Sequence, residues 1–466
     1  MDRLSRMSPG NKILHLFVYP APGSNPESLS YLIADQVFRL FNESWINALT
    51  GKTTYYVFIV CGKYSFSRII LKSLFLCIIF TPDVSAEISF STKSLLISQK
   101  NTEASRNYLF NRFRTQTYFD LDKNYSIEID YELFPALTDS SSDISTISIK
   151  NSKTRIYRIT DLNLLLPGTP DSSATSRNWH VEQNLDRIFI RYQAGNLEYI
   201  LGRQAVAFGA ATISPTDVFT PVSFKALDQE YRPGVDAVRI TRGFGDTTEI
   251  EGGIVAGKNF LPGNNGAYLR SHFLHGNTDL TPMTAVFKKN QLLGLTLQTE
   301  LGKVGFVFDG AVVLLRKSAA EKNSDGSEQW AQWTIGLNLQ WSQQLFTMLE
   351  MHFNSMGTDN PGSYLNNASS VIYQEYPVTL LGRDYLLPSF NYQISPLWSL
   401  NSSAYFNLND SSSQTISGLE WNISENWLFS GSFILASGKN SAKPTQKKSE
   451  FGDTPNSFQL MLKHYL

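Results

Sequence analysis

Residues 333–341 read Trp333-Thr334-Ile335-Gly336-Leu337-Asn338-Leu339-Gln340-Trp341. Trp333, Ile335, Leu337, Leu339 and Trp341 share one parity, and Thr334, Gly336, Asn338 and Gln340 share the other. A period of two belongs to a β-strand whose faces meet different surroundings. Here the apolar face is aliphatic in its middle and ends in an indole at each side. About eight steps of ~3.3 Å, tilted by ~40°, rise ~20 Å, close to the ~25 Å apolar band of an outer-membrane barrel with its aromatic girdles. The stretch predicts one wall strand of an all-β fold, a transmembrane antiparallel up-and-down β-barrel.

The same grammar extends outward in both directions. Towards the N-terminus it gives a hairpin of 108–122 and 125–134, turned at Lys123-Asn124. Arg112 and Arg114 share a polar parity in its first arm, and Glu128, Asp130 and Glu132 share one in its second. A charge facing lipid near the midplane costs ~2–4 kcal/mol, so these five side chains are expected to line the lumen, with opposite signs on neighbouring strands. Arg187 and Arg191 in 181–194 and Glu249 and Glu251 in 248–257 are placed there by the same argument. Further runs are read at 155–166, 196–208, 235–242, 267–274, 291–301, 304–315 and 345–357. Others follow at 369–381, 384–394, 398–409, 414–423, 427–436 and 456–466. About sixteen to eighteen strands result, an even number being expected of a single-chain bacterial barrel.

Residues 209–234 break the alternation. They hold Ser214-Pro215-Thr216-Asp217, Phe219-Thr220-Pro221 and Asp228-Gln229-Glu230-Tyr231-Arg232-Pro233-Gly234. So long a connection without strand pattern is functional or disordered, and its aromatics, prolines and mixed charges favour order. Pro215, Thr216, Asp217, Asp228, Glu230 and Arg232 are therefore candidates for a constriction inside the barrel; an ordered turn outside it is the alternative.

The N-terminal part is of another kind. Residues 60–86 read as a signal peptide: Lys63 and Arg68 are basic, Ile69–Phe80 is an apolar core, and Val84-Ser85-Ala86 is a small-x-small cleavage site. That core is too short to cross a bilayer as a helix. An internal signal peptide implies that residues 1–59 lie upstream of the true start, placed at Val60; a small helical element at 24–47 is the structural alternative. Residues 87–107 are read as a periplasmic lead-in and 108–466 as the barrel. Both cysteines, Cys61 and Cys77, precede the cleavage point, leaving the mature chain without thiols for disulfides or thiolate metal sites.

Composition excludes little else. A formal net charge of −1 gives no electrostatic footprint for nucleic acid. A mean hydropathy of −0.18 fits a soluble protein and equally a barrel, in which only alternate residues meet lipid. There is no G-x-S-x-G, H-E-x-x-H or P-loop. His272 and His275 fall on opposite faces of a strand and lack a third ligand, so no metal or cofactor is expected. His352 and Glu350 share the polar parity of one strand and are the only pair singled out for an outer-membrane enzyme.

The last run places Phe458, Leu460, Leu462 and Leu466 on one face and stops there, with Tyr465 and His464 beside it. Such an ending fits a strand read by the barrel-assembly machinery.

Two stretches resemble a porin-like family of Gram-negative outer-membrane β-barrels, alginate-export-like in style. One is Leu201-Gly202-Arg203-Gln204 with Phe208-Gly209, Pro215-Thr216-Asp217-Val218-Phe219 and Pro233-Gly234-Val235-Asp236. The other is Pro396-Leu397-Trp398-Ser399-Leu400 with Asn407-Leu408-Asn409-Asp410-Ser411-Ser412. The resemblance covers Tyr108 to the C-terminus and implies a channel or exporter in the cell outer membrane, in contact with its lipid, for small hydrophilic solutes or polysaccharide. A secreted soluble β-protein that binds or cleaves polysaccharide is the second reading, an outer-membrane enzyme the third. Tryptophan placement separates the first two: a barrel sets them in exterior belts, a sugar-binding protein in one concave cleft.

Overall fold

A computed structural model describes residues 13–17, 54–58, 85–100, 105–138, 156–160, 179–221, 231–261, 263–288, 290–314, 329–370, 373, 380–441 and 447–466. Two compact units are distinguished: residues 1–86 with 119–123, and the rest of the chain. In the first, β1 (Ile13–Phe17) and β2 (Thr54–Phe58) pair in parallel. The expected signal peptide lies outside the described residues apart from its last two, as does the helical alternative at 24–47.

The larger unit is a closed antiparallel barrel of eighteen strands. Its first wall runs β3 (Ser85–Lys100), β4 (Ser105–Asp120), β5 (Tyr125–Thr138), β6 (Trp179–Ala194), β7 (Leu197–Gln204), β8 (Val235–Phe244), β9 (Thr248–Ala256), β10 (Gly266–His275) and β11 (Thr278–Phe287). The second runs β12 (Asn290–Leu301), β13 (Val304–Leu314), β14 (Gln329–Gln340), β15 (Leu345–Asn354), β16 (Asp384–Ser395), β17 (Trp398–Asn407), β18 (Ser412–Ser424), β19 (Trp427–Ser437) and β20 (Asn456–Tyr465). Each strand pairs with its sequence neighbours, and β20 closes on β3 from Asn456 opposite Lys100 to Tyr465 opposite Ser91. Closure leaves no unpaired edge, which is what hydrocarbon demands of a sheet.

Up-and-down order sorts the connections. The tight turns 195–196, 276–277, 302–303, 396–397 and 425–426 gather at one rim with the last residue, whose amide bonds to Phe90 O at 2.7 Å. Gly195 adopts φ +61° in its two-residue turn, a conformation that hairpin turns require and side chains resist. The long connections 139–178, 205–234, 315–328, 355–383 and 438–455 begin and end at the opposite rim.

Strand β14 has the predicted faces. Leu337 and Trp341 are 47% and 66% exposed, whereas Thr334 is 0% exposed inside. Leu201, Ile254, Leu269, Leu293, Phe433 and Leu435 are likewise exposed around the wall. In water such a surface would be untenable; in a bilayer it is the lipid face. Aromatics cap it at the turn rim: Tyr125, Tyr192 and Tyr199 stack in series, Trp398 stacks on Trp421 at 5.1 Å, and Trp427 on His464 at 4.0 Å. Trp333 stacks on Phe353 towards the loop rim. Trp333, Trp341, Trp398, Trp421 and Trp427 thus lie in exterior belts, the arrangement that separates a membrane barrel from a sugar-binding cleft, whereas Trp330 is buried inside.

Four expectations are corrected. The lead-in 87–107 is the strand β3, the following connection and the start of β4. In β3 both faces carry apolar residues: Leu95 and Ile97 turn inward onto Tyr108, while Leu96 is exposed outside and Ser94 beside it bonds Asn111 at 2.6 Å. Strand β11 was not expected either, because Pro282 interrupts it and Met283, Ala285 and Phe287 face inward. Conversely, 155–166 is not a strand where described, Ile156 and Tyr157 forming a 3-10 turn. In 369–381 the described residues are the end of helix α1 (Tyr364–Ser369), a helical Tyr373 and the non-strand pair Leu380-Leu381. Two strands missed and two supernumerary leave the count within the expected range.

Leu337→Arg, on the lipid face at mid-height, should lower the unfolding free energy in vesicles by ~2–4 kcal/mol. Asn338→Arg, one residue on and facing the lumen, should cost far less. Urea titration of both variants checks the assignment of faces.

Candidate functional site: a segment folded into the barrel

The chain leaves β7 at Gln204 and does not turn back along the wall. It enters the lumen. Phe208 N and Gly209 N donate to Asp217 Oδ1 at 2.6 and 3.0 Å, closing the segment on itself. Ala210 N and Thr216 Oγ1 donate to Asp309 on β13 at 3.2 and 3.1 Å. Thr212 N donates to Glu350 Oε1 on β15 at 3.1 Å, and Thr334 Oγ1 on β14 donates to Ile213 O at 2.6 Å. Strand β15 is the eighth from β7 in a ring of eighteen, so the segment bridges nearly opposite walls. Hydrogen bonds to carboxylates are worth ~1.5–3 kcal/mol each, and the acceptors would otherwise be buried charges.

Apolar packing completes the bridge. Phe208, Val218 and Phe219 join Tyr157, Tyr268, Met283, Phe287, Leu292 and Trp330 in one interior cluster. Phe208 meets Tyr268 edge-on at 4.7 Å, and Tyr157 meets Phe219 at 5.1 Å. This explains the largely apolar inward face of β11: Met283, Ala285 and Phe287 face the segment rather than water. The connection 355–383 adds Met356, Tyr364, Tyr373 and Leu381 to the same cluster. Tyr373 accepts from Asn354 at 3.1 Å and donates to Leu380 O at 3.0 Å. Burial pushes its phenol well above the ordinary range, so it stays a donor.

The near wall is ionic. Arg114, 1% exposed, donates to Asp130 Oδ2 at 2.6 Å, to Asp186 Oδ2 at 3.2 Å and to Glu132. Its guanidinium lies 4.1 Å from the Tyr231 ring centroid, and that of Arg112 lies 4.8 Å from the same ring. Asp186 holds the returning chain, accepting from Gly234 N at 3.0 Å and from Arg158 at 3.4 Å. Arg187 donates to Arg232 O, and Arg232 in turn bonds Asp217. Arg203 is held by Asp236 at 2.7 Å. Lower in the lumen Arg191 pairs with Glu198 at 3.1 Å. Arg270 lies 3.1 Å from Glu251 and 3.9 Å from Glu249. Glu128 shares the inward parity of Asp130 and lies opposite Phe189 in the register.

The structure therefore brings Arg112, Arg114, Asp130, Glu132 and Arg187 together around Tyr231 and Gly234, and Arg191, Glu249 and Glu251 below them. Pro215, Thr216 and Asp217 are buried in the inward segment, with Arg232 at its return. Asp228 and Glu230 lie outside the described residues. Asp186 was not expected. The register passes from Asp130 opposite Arg187 to Tyr131 opposite Leu185, so Asp186 is the extra residue of a β-bulge and faces inward beside Arg187. Strict alternation could not place two consecutive residues on one face. Asp309 carried no signal beyond parity.

The two quoted motif stretches acquire physical reasons. Gly202 has φ +127°, and a Cβ there would lie 2.2 Å from Ile188 O, so β6 and β7 meet only because it is glycine. Asn407, in the second motif, donates to Tyr364 Oη at 3.0 Å and to Glu450 Oε2 at 2.8 Å, tying 355–383 to 438–455. His352 and Glu350 do not lie at a rim. Both are 1% exposed beneath the segment, His352 bonded to Thr334 at 2.9 Å.

Arg114→Met should leave Asp130, Glu132 and Asp186 buried without their shared cation. A loss of ~3–5 kcal/mol is expected in a urea titration, the cost of breaking rather than replacing a buried pair.

In sequence, no family model and no curated protein matches this chain. In structure, the barrel is similar to crystal structures of Occ proteins, which are outer-membrane porins. OccAB2 of Acinetobacter baumannii is 8% identical, with 82% of this chain covering 98% of that one at a TM-score of 0.51. OccK9 (OpdG) of Pseudomonas aeruginosa is 9% identical, with the same coverage and a TM-score of 0.51. OccK5 (OpdH) of the same organism is 7% identical, again at 82% and 98%, with a TM-score of 0.50. At such identity the likeness is one of fold.

Proposed function

We propose that the protein is an outer-membrane channel for small hydrophilic solutes, with residues 205–221 as its constriction. One observation carries this reading: a chain segment crosses the lumen from β7 to β13, β14 and β15 and is bonded to wall carboxylates at its far side. A barrel that served only as an anchor has no need of such a crossing. The fold likeness to outer-membrane porins supports it. Selectivity then rests on the width left beside the segment and on the groups facing that passage, Arg191, Glu249 and Glu251 among them. Export of a polysaccharide fits less well, since two connections and an apolar cluster occupy the interior. An enzyme built on Glu350 and His352 fits least, because both are sealed under the constriction. Strand β20 supplies the C-terminal strand expected of a chain delivered to the barrel-assembly machinery.

Purified protein in planar bilayers should give step-like conductance. Replacing residues 209–216 by a short Gly/Ser linker should raise the step severalfold while the barrel keeps its heat-dependent shift on a gel. An unchanged step in a folded variant would show that the segment does not limit the passage.

A further inference from the structure

Strands β4 to β10 carry Arg112, Arg114, Arg187, Arg191, Arg239 and Arg270 towards the lumen, whereas β12 to β19 contain no lysine or arginine at all. Below the constriction that second wall presents amides and hydroxyls. In the register Ser389 faces Ser403, Asn391 faces Asn401 and Gln393 faces Ser399, all on the inward parity of β16 and β17. On β18 the rows pass through Gly418 and Glu420, the latter accepting from Ser399 at 3.4 Å, to Ser432 and Ser430 on β19, while the row of Ser389 and Ser403 ends on Ile416. Asn391 donates to Asn401 within its row. The serine, asparagine and glutamine side chains of these rows can both donate and accept, which is what a solute hydroxyl offers in return.

The ionic wall opposite is already committed. Arg191 has Glu198, and Arg239 and Arg270 share Glu251 at 3.8 and 3.1 Å. A passing anion or cation must compete with a partner that is covalently tethered at short range. A neutral hydroxylated solute meets no such competition on the amide wall, and it leaves water for groups of the same kind.

We propose that the arginine-free wall of β16 to β19 is a hydrogen-bonding track that favours uncharged, hydroxyl-rich solutes over size-matched ions. The inference rests on the channel reading. Two features run against it: Glu420 on β18, a carboxylate within the track that is bonded to Ser399, and the lysine pair Lys93 and Lys463, in register where β20 meets β3.

The test is liposome swelling with glucose, gluconate and glucosamine, alongside KCl conductance of the same preparation. Glucose should enter severalfold faster than either ion. Asn391→Leu with Asn401→Leu should slow glucose severalfold while leaving KCl conductance nearly unchanged, and Asn391→Gln should restore much of the rate. Should the double variant fail to insert, Ser432→Ala gives a milder form of the same test. Gluconate entering as fast as glucose, and slowed by Lys93→Gln with Lys463→Gln, would overturn the proposal. Equal slowing of all three solutes by the double variant would also overturn it, as simple narrowing. Absence of KCl conductance in the unmodified protein would remove the channel reading, and the track with it.

Discussion

The interior of this barrel depends on wall carboxylates that accept hydrogen bonds from the backbone of one chain segment. On the wall, Asp309 and Glu350 take amides of 210 and 212 and Asp186 takes that of 234, while within the segment Asp217 takes those of 208 and 209. A segment without strand or helix has no ladder to satisfy its amides, and inside a barrel it has little water. Carboxylates on strands solve this and are themselves solved by it, since a buried charge without partners would be costly. Arginines act one step further out at two of these acids, Asp186 and Asp217. Arg114 binds Asp186 together with Asp130 and Glu132, and Arg158 joins Asp186 to Asn184 and to Gly234 O.

The exterior obeys a simpler constraint. Hydrocarbon supplies no hydrogen-bond partners, so the sheet must close, and every outward side chain must tolerate lipid. Some polar groups placed outward pair with each other, as Ser402 does with Ser417 at 2.8 Å, and Thr284 bonds the backbone of Leu292 at 3.1 Å. The wall can therefore be rigid while the interior carries the variation, and the two are linked where a wall side chain reaches the segment.

Legibility in the sequence followed from this division. Where a strand has lipid on one side and water on the other, as at 333–341 or in the hairpin of β4 and β5, alternation alone placed its faces correctly. Where the inward side meets packed protein, alternation fails: β3 and β11 turn Leu95, Ile97, Met283 and Phe287 inward, and both strands escaped notice. The inward segment was legible as a loss of pattern, and its prolines and aromatics as a reason for order, but not its partners on β13 to β15. Those depend on proximity across the lumen, which no local periodicity encodes. Asp186 was hidden by a bulge, and parity alone could not show that Glu350 accepts the Thr212 amide or that His352 bonds the Thr334 hydroxyl beneath the segment.

The claim that the segment is anchored across the lumen is tested most directly by amide hydrogen exchange at residues 208–212 in the membrane-embedded protein. Carboxylate-bonded amides at Phe208, Gly209, Ala210 and Thr212 should exchange roughly a hundredfold or more slowly than an unstructured chain, with protection lost in Asp217→Ala and Glu350→Ala at the amides each side chain accepts. Exchange at the unstructured rate in the unmodified protein would mean that the segment is a surface loop and the lumen is open.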